Sequence, residues 1–141
     1  MLVLLGILLY CSALGGSLFF DDRPNLTDNE FVQIDGSRFD DWRTAALSSD
    51  AGVTRRPVAM FTFAVNHALF GDLSPVHLKA VNLLIHLAIG LLVYALAGAI
   101  FASPALTALE LGDRRLLALL AAAIWLLHPL HVSTVLYAIQ R

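Results

Sequence analysis

The chain has 141 residues, of which 58% are hydrophobic and only 14% charged, with a formal net charge of −2 and a mean hydropathy of +0.75. That balance excludes an ordinary soluble domain, and the absence of a basic run excludes nucleic acid as a partner. A single cysteine, Cys11, excludes a disulfide framework and a thiolate metal site and leaves the redox compartment open.

Residues 1–20 contain no charge and match the roughly 20 apolar residues a helix needs to cross the hydrocarbon core. They are expected to form a first transmembrane helix. A cleaved signal peptide is the alternative, because Ser12, Ala13, Gly15, Gly16 and Ser17 are small residues behind an apolar run, but the basic start is missing. Asp21 and Asp22 follow directly, so a carboxylate pair stands where the chain leaves the membrane. Two adjacent anions there repel each other and resist desolvation, which suits an acid, a base or a ligand. A plain polar flank that stops the span is the competing reading, given equal weight.

Residues 21–75 form a polar, acid-rich loop. Phe31, Ile34, Phe39 and Trp42 are scattered among its acids as anchors of a surface element, and Asp50, Ala51 and Gly52 look like a flexible turn. Residues 57–70 are expected as a helix, with Pro57 in its first turn and Gly71 just past its end. Too short to span and apolar almost all round, it is expected to lie in the interface or to re-enter partway. Arg55 and Arg56 stand at its start, where guanidinium forks and the helix dipole suit phosphate oxygens or anionic lipid headgroups.

A second span is expected at residues 76–101 and a cytoplasmic loop at 102–115. Lys79, Asn82 and His86 share one face of the second helix, since steps of three, four and seven residues return to the same side. Polar residues inside a span face a bundle or a watery cavity; the competing reading has Asn82 and His86 bonding between helices and Lys79 snorkelling to the headgroups. Residues 116–141 are expected as a third span with a kink or restart at His128 and Pro129. On a restart, Pro129 occupies the first turn and Val132, Val135, Leu136 and Ile139 form one apolar stripe. His128 and His131 are close enough to suggest a shared metal, but their spacing matches no strong zinc motif, and a metal stays unassigned. His128 is expected instead to cap the restarted helix or to meet the carboxylates. Three crossings put the 21–75 loop and the segment after His128 on one side, and Arg114 with Arg115 in the short loop assign that side to the exterior.

Four stretches in this order, FFDDRPNLTDNE, TRRPVAMFTFAVNHALFG, HLKAVNLLIHLAIGLLVYAL and LLHPLHVSTVLYAIQR, resemble the amino-terminal part of a known family. It comprises the polytopic membrane glycosyltransferases that carry tetratricopeptide repeats, related to transmembrane O-mannosyltransferases of the C-type fold. The resemblance implies an all-α integral membrane helical bundle, of which this chain is a fragment. It implies transfer of a mannose-like sugar from a polyprenyl-phosphate donor to an acceptor hydroxyl of a protein Ser or Thr, or of a glycan, on the external face. Under it Asp21 is the general base, Asp22 assists or binds a divalent cation, Arg55 or Arg56 holds the donor phosphate, and His86 or His128 orients either partner.

The family has many more spans and a repeat region that this chain lacks, so the fragment is expected to be inactive alone and to need the missing carboxy-terminal spans. The multi-pass protein belongs in a bacterial inner membrane or the endoplasmic reticulum, with the long loop external or lumenal and membrane lipid as a partner. The alternatives are a non-catalytic membrane subunit and a transporter fragment using Asp21, Lys79 and His86 as an ion route.

Overall fold

The computed structural model describes residues 2–49, 56–104 and 110–141. Among these the ordered elements are all helical. They are α1 (Leu2–Cys11), α2 (Phe39–Ala46), α3 (Pro57–Phe70), α4 (Pro75–Phe101), α5 (Leu111–Leu126) and α6 (His131–Leu136). A π-helical turn lies at Arg23–Thr27, and 3₁₀ turns lie at Glu30–Val32 and Ala138–Gln140. The chain divides into two compact units, one of Met1–Ser12 with Leu83–Val132 and the other of Ala13–Asn82 with Ser133–Arg141.

The first unit packs α1, the greater part of α4, and α5. Small residues set the closeness of the helices. A Cβ on Gly6 would stand 2.8 Å from Leu87 Cδ2, and one on Gly90 would stand 2.7 Å from Leu126 Cδ1, so each leucine fills the space a side chain would need. Ala118 and Ala122 of α5 are buried, whereas Leu84, Leu92 and Leu96 of α4 are 63–67% exposed. Among the described residues, α4 alone is long and apolar enough to cross a membrane, and only 22% of its most apolar stretch is buried. A core helix of a water-soluble domain has the opposite distribution.

The other two expected spans are shorter than the sequence pattern suggested. The uncharged run of residues 1–20 is not one helix, because α1 stops at Cys11 and the chain turns through Ser12, Ala13, Gly15 and Gly16, with Gly16 N–H on Ala13 O at 3.2 Å. Glycines and serines favour turns over helix continuation, so the apolar composition outlasts the helix. At 16 residues, α5 is about 24 Å long. It breaks at Leu127, and α6 begins only at His131, so Pro129 lies in the connecting turn rather than in the first turn of α6. The expected stripe also divides: Ile139 belongs to the separate 3₁₀ turn, because Tyr137 takes an extended conformation (φ −94°, ψ 105°) that ends α6.

The second unit has a core of Leu26, Val32, Ile34, Ala45, Met60, Phe63, Ala64, Leu73, Leu78, Ala138 and Ile139. Its central helix is α3, started by Pro57 and closed by Gly71 in the left-handed conformation (φ 75°), whose N–H bonds His67 O at 2.8 Å. Met60, Phe63, Ala64 and Asn66 of α3 are buried, so one side of this helix contributes to the core of the unit. It looks apolar all round because Val58, Phe61, Leu69 and Phe70 cover its outer side. Of the scattered loop aromatics and aliphatics, Ile34 joins the core and Trp42 packs beside it with its indole N–H on Gly36 O at 3.2 Å, while Phe31 and Phe39 are exposed. The turn expected at Asp50, Ala51 and Gly52 lies outside the described residues.

Candidate functional site

The two carboxylates of the acidic pair have different surroundings. Asp22 is fully buried, and both its oxygens accept backbone hydrogen bonds, Oδ2 from Phe19 N–H at 3.0 Å and Oδ1 from Ile139 N–H at 2.8 Å. Asp21 is exposed, and its carboxylate accepts no hydrogen bond among the described residues. Its backbone is nevertheless held: the N–H donates to Tyr137 Oη at 3.3 Å, and the carbonyl accepts from Asn25 Nδ2 at 3.0 Å. Asp22 therefore fixes the turn and Asp21 projects from it. Each Asp22 oxygen accepts one of these amides, so the carboxylate is anchored in the fold.

The turn is closed by Asp22 N–H on Phe19 O at 2.9 Å, and Phe20 sits in it with φ 40°. A bulky residue in that conformation is strained and persists only where its neighbours enforce it. Arg56 is the one other non-glycine residue with positive φ among the described residues (φ 42°), and it immediately precedes α3. Its Nη1 donates to Ile139 O at 3.1 Å, so one N–H of this arginine grips the chain. Arg55 lies outside the described residues.

Lys79 is buried to 1% exposure, and its Nζ donates to Gly16 O at 2.6 Å and Ser17 O at 3.1 Å, with the Phe19 ring 5.8 Å away. It ties down the approach to Phe19–Asp22 and does not snorkel. Asn82 donates through Nδ2 to Ala138 O at 3.2 Å and, at longer range, to Val135 O, the latter a carbonyl that α6 leaves open at its end. Asp22, Arg56 and Asn82 thus converge on two consecutive residues, Ala138 and Ile139.

Arg141 is a central residue that local pattern does not reveal. Nε donates to Asn82 Oδ1 at 2.7 Å, Nη1 to Thr62 Oγ1 at 3.2 Å, and Nη2 to Asn66 Oδ1 at 3.3 Å and Leu78 O at 2.9 Å. The guanidinium lies over the Phe63 ring at 4.3 Å. Burial pushes its pKa down to about 10, which leaves it charged at neutral pH. Its side-chain partners are all neutral. Tyr137 was equally hidden, and the one signal for both is that a Tyr and an Arg recur within five residues of an apolar stretch.

The histidines belong elsewhere. In the first unit His86 is buried, its Nε2 stands 3.0 Å from Leu126 O, and its ring stacks on Trp125 at 4.9 Å. A carbonyl only accepts, so Nε2 carries the proton, and His86 satisfies a carbonyl at the end of α5. His131 packs against Trp125 and His86, and His128 Nδ1 accepts from Leu130 N–H at 3.3 Å in the turn before α6. The rings of His128 and His131 are 6.1 Å apart. Among the described residues no three His, Cys, Asp or Glu side chains are grouped to hold a metal ion.

No family model and no solved structure matches the chain. It is 27% identical over 144 residues to Protein O-mannosyl-transferase TMTC4 of Homo sapiens and 28% identical over 144 residues to that of Mus musculus, in each case covering 96% of this chain and 19% of the relative. It is 30% identical over 136 residues to Protein O-mannosyl-transferase tmtc2 of Xenopus laevis, covering 93% of this chain and 15% of the relative. The chain therefore spans about a fifth or less of the length of the curated relatives it matches. Over nearly its whole length it is similar to protein O-mannosyl-transferases.

Proposed function

We propose that the chain is the part of a multi-pass membrane glycosyltransferase that carries its candidate base, and that the whole enzyme transfers a mannose-like sugar from a polyprenyl-phosphate donor to a Ser or Thr hydroxyl of an acceptor protein. In this reading α4 crosses the bilayer, and α1 and α5, each shorter than a full crossing, are embedded in it beside α4. The loop between α1 and α4 lies on the external or lumenal face. The single observation that carries the chemistry is the difference within the acidic pair: Asp22 is buried and anchored by two backbone amides, and Asp21 is presented to solvent with its carboxylate uncommitted.

A carboxylate so placed can take the proton of an attacking hydroxyl, provided the acceptor comes within hydrogen-bond reach. Arg56 keeps further N–H groups beyond the one on Ile139 O, and with Arg55 it is the candidate to hold donor phosphate. The relatives' names support sugar transfer to protein, and their length supports the view that this portion alone does not turn over. The exposed leucines on α4 support the membrane assignment.

The test is Asp21→Asn in the full chain in native membranes, assayed for sugar transfer from a polyprenyl-phosphate mannose donor to Ser- and Thr-containing acceptors. Transfer is expected to fall by at least ~100-fold, the usual worth of a positioned base. Full transfer by this variant would overturn the assignment.

A further inference from the structure

We infer that the segment Tyr137–Arg141 is the element that positions Asp21, with Tyr137 as the positioning residue and Arg141 as its lock. The inference rests on the reading of Asp21 as the base. Its evidence is a convergence of contacts over 116 and 117 residues of sequence. Tyr137 Oη accepts the Asp21 N–H, and Ile139 N–H fills one oxygen of Asp22, so both members of the acidic pair are pinned by the same five-residue segment.

The pinned turn needs this support. Phe20 at φ 40° has no glycine's freedom, and its conformation is one that an unsupported chain abandons for extended or right-handed backbone. Internally the turn has the Asp22 N–H to Phe19 O bond and the Asp22 side chain on Phe19 N–H. Those bonds close it, but they do not fix where Asp21 points relative to the rest of the unit. That register comes from Tyr137 and Ile139.

The segment is in turn fixed at both ends of its 3₁₀ turn. Arg56 and Asn82 hold the Ile139 and Ala138 carbonyls, and the Arg141 fork engages Thr62 and Asn66 of α3 together with Leu78 and Asn82 of α4. A planar fork fixes direction as well as distance, which a lysine ammonium does not. Shifting the segment would break these contacts together, so its position has few alternatives.

The decisive variant is Tyr137→Phe in the full chain in native membranes, since it removes the hydroxyl and keeps the ring. Turnover is expected to fall about fivefold, the equivalent of one ordinary hydrogen bond, with donor and acceptor KM within about twofold and thermal stability retained. Adding Phe20→Gly, which takes the strain out of the turn, is expected to recover part of the lost kcat; a general loss of packing would not respond to it. Hydrogen exchange at the Asp21 amide is expected to accelerate in Tyr137→Phe, and this readout does not depend on transfer. Unchanged kcat, or unchanged Asp21 exchange, overturns the inference. Accelerated exchange in Tyr137→Phe alongside full transfer by Asp21→Asn would keep Tyr137 as the pin of the turn while removing Asp21 as the base.

Discussion

The two units of this chain are stabilised in opposite ways. In the unit of α1, α4 and α5, Gly6, Gly90, Ala118 and Ala122 lie against Leu87 and Leu126, His86 is the buried polar side chain, and Leu84, Leu92 and Leu96 face outward. In the unit built on α3, the buried set includes Asp22, Asn66, Lys79 and Asn82 beside an apolar core, and these side chains bond to backbone groups or to Arg141, with Asn66 Nδ2 alone left without a partner among the described residues. The first unit depends mainly on shape and the second mainly on paired buried polarity. Glycines and alanines at the helix contacts let backbones approach closely, whereas the buried charges Asp22 and Lys79 need partners for their polar atoms.

The largest effect expected from that contrast is at Asp22. Asp22→Ala removes the acceptor for two amides, those of Phe19 and Ile139, and each unsatisfied buried amide costs about 1–3 kcal/mol. A loss of about 3 kcal/mol is expected in denaturant unfolding of the detergent-solubilised chain. A loss under ~0.5 kcal/mol would remove the claim that this unit depends on satisfied polarity.

Smaller effects separate two glycines of α4. A Cβ at Gly98 meets nothing within 4 Å, so Gly98→Ala is expected to stabilise by roughly 0.5–1 kcal/mol through helix propensity. Gly90→Ala instead forces Leu126 to move, and because that contact is the end of a flexible side chain, the displacement should about cancel the propensity gain. Equal thermal shifts for the two variants would mean that close approach does not organise this unit.

The smallest effect expected lies outside both interiors, where His77 Nδ1 stands 2.6 Å from Asp72 Oδ1 and holds the Asp72 carboxyl below its ordinary 3.8. A carboxyl depressed in the folded state contributes stability that is fully present above 3.8 and is lost as pH falls through the lowered value. Both side chains are well exposed, so only a slight steepening of acid unfolding below pH 3.8 is expected, and Asp72→Asn should abolish it. Steepening that persists in Asp72→Asn would place the acid sensitivity elsewhere.

Much of the architecture was legible because it is written locally. Pro57 and Gly71 mark the ends of α3, and the long apolar stretch of residues 76–101 marks α4, since capping and hydropathy act within a few residues. The ends of α1 and α5 were less legible, because apolar composition continues through turns that Gly15, Gly16 and Pro129 impose. The loop helix was legible as a helix but not as a core element, since an all-round apolar surface looks the same whether it faces a protein core or lipid.

By itself the sequence determined a stretch long and apolar enough to cross a membrane, the helical class, the acidic pair and the resemblance carried by four motifs in order. Only the tertiary structure decided which aspartate is spent on backbone amides and which is presented, and that Tyr137 and Arg141 have a part in it. The reason is physical: adjacent residues of identical chemistry acquire different roles through hydrogen bonds to groups more than a hundred residues away, and no local spacing encodes those partners.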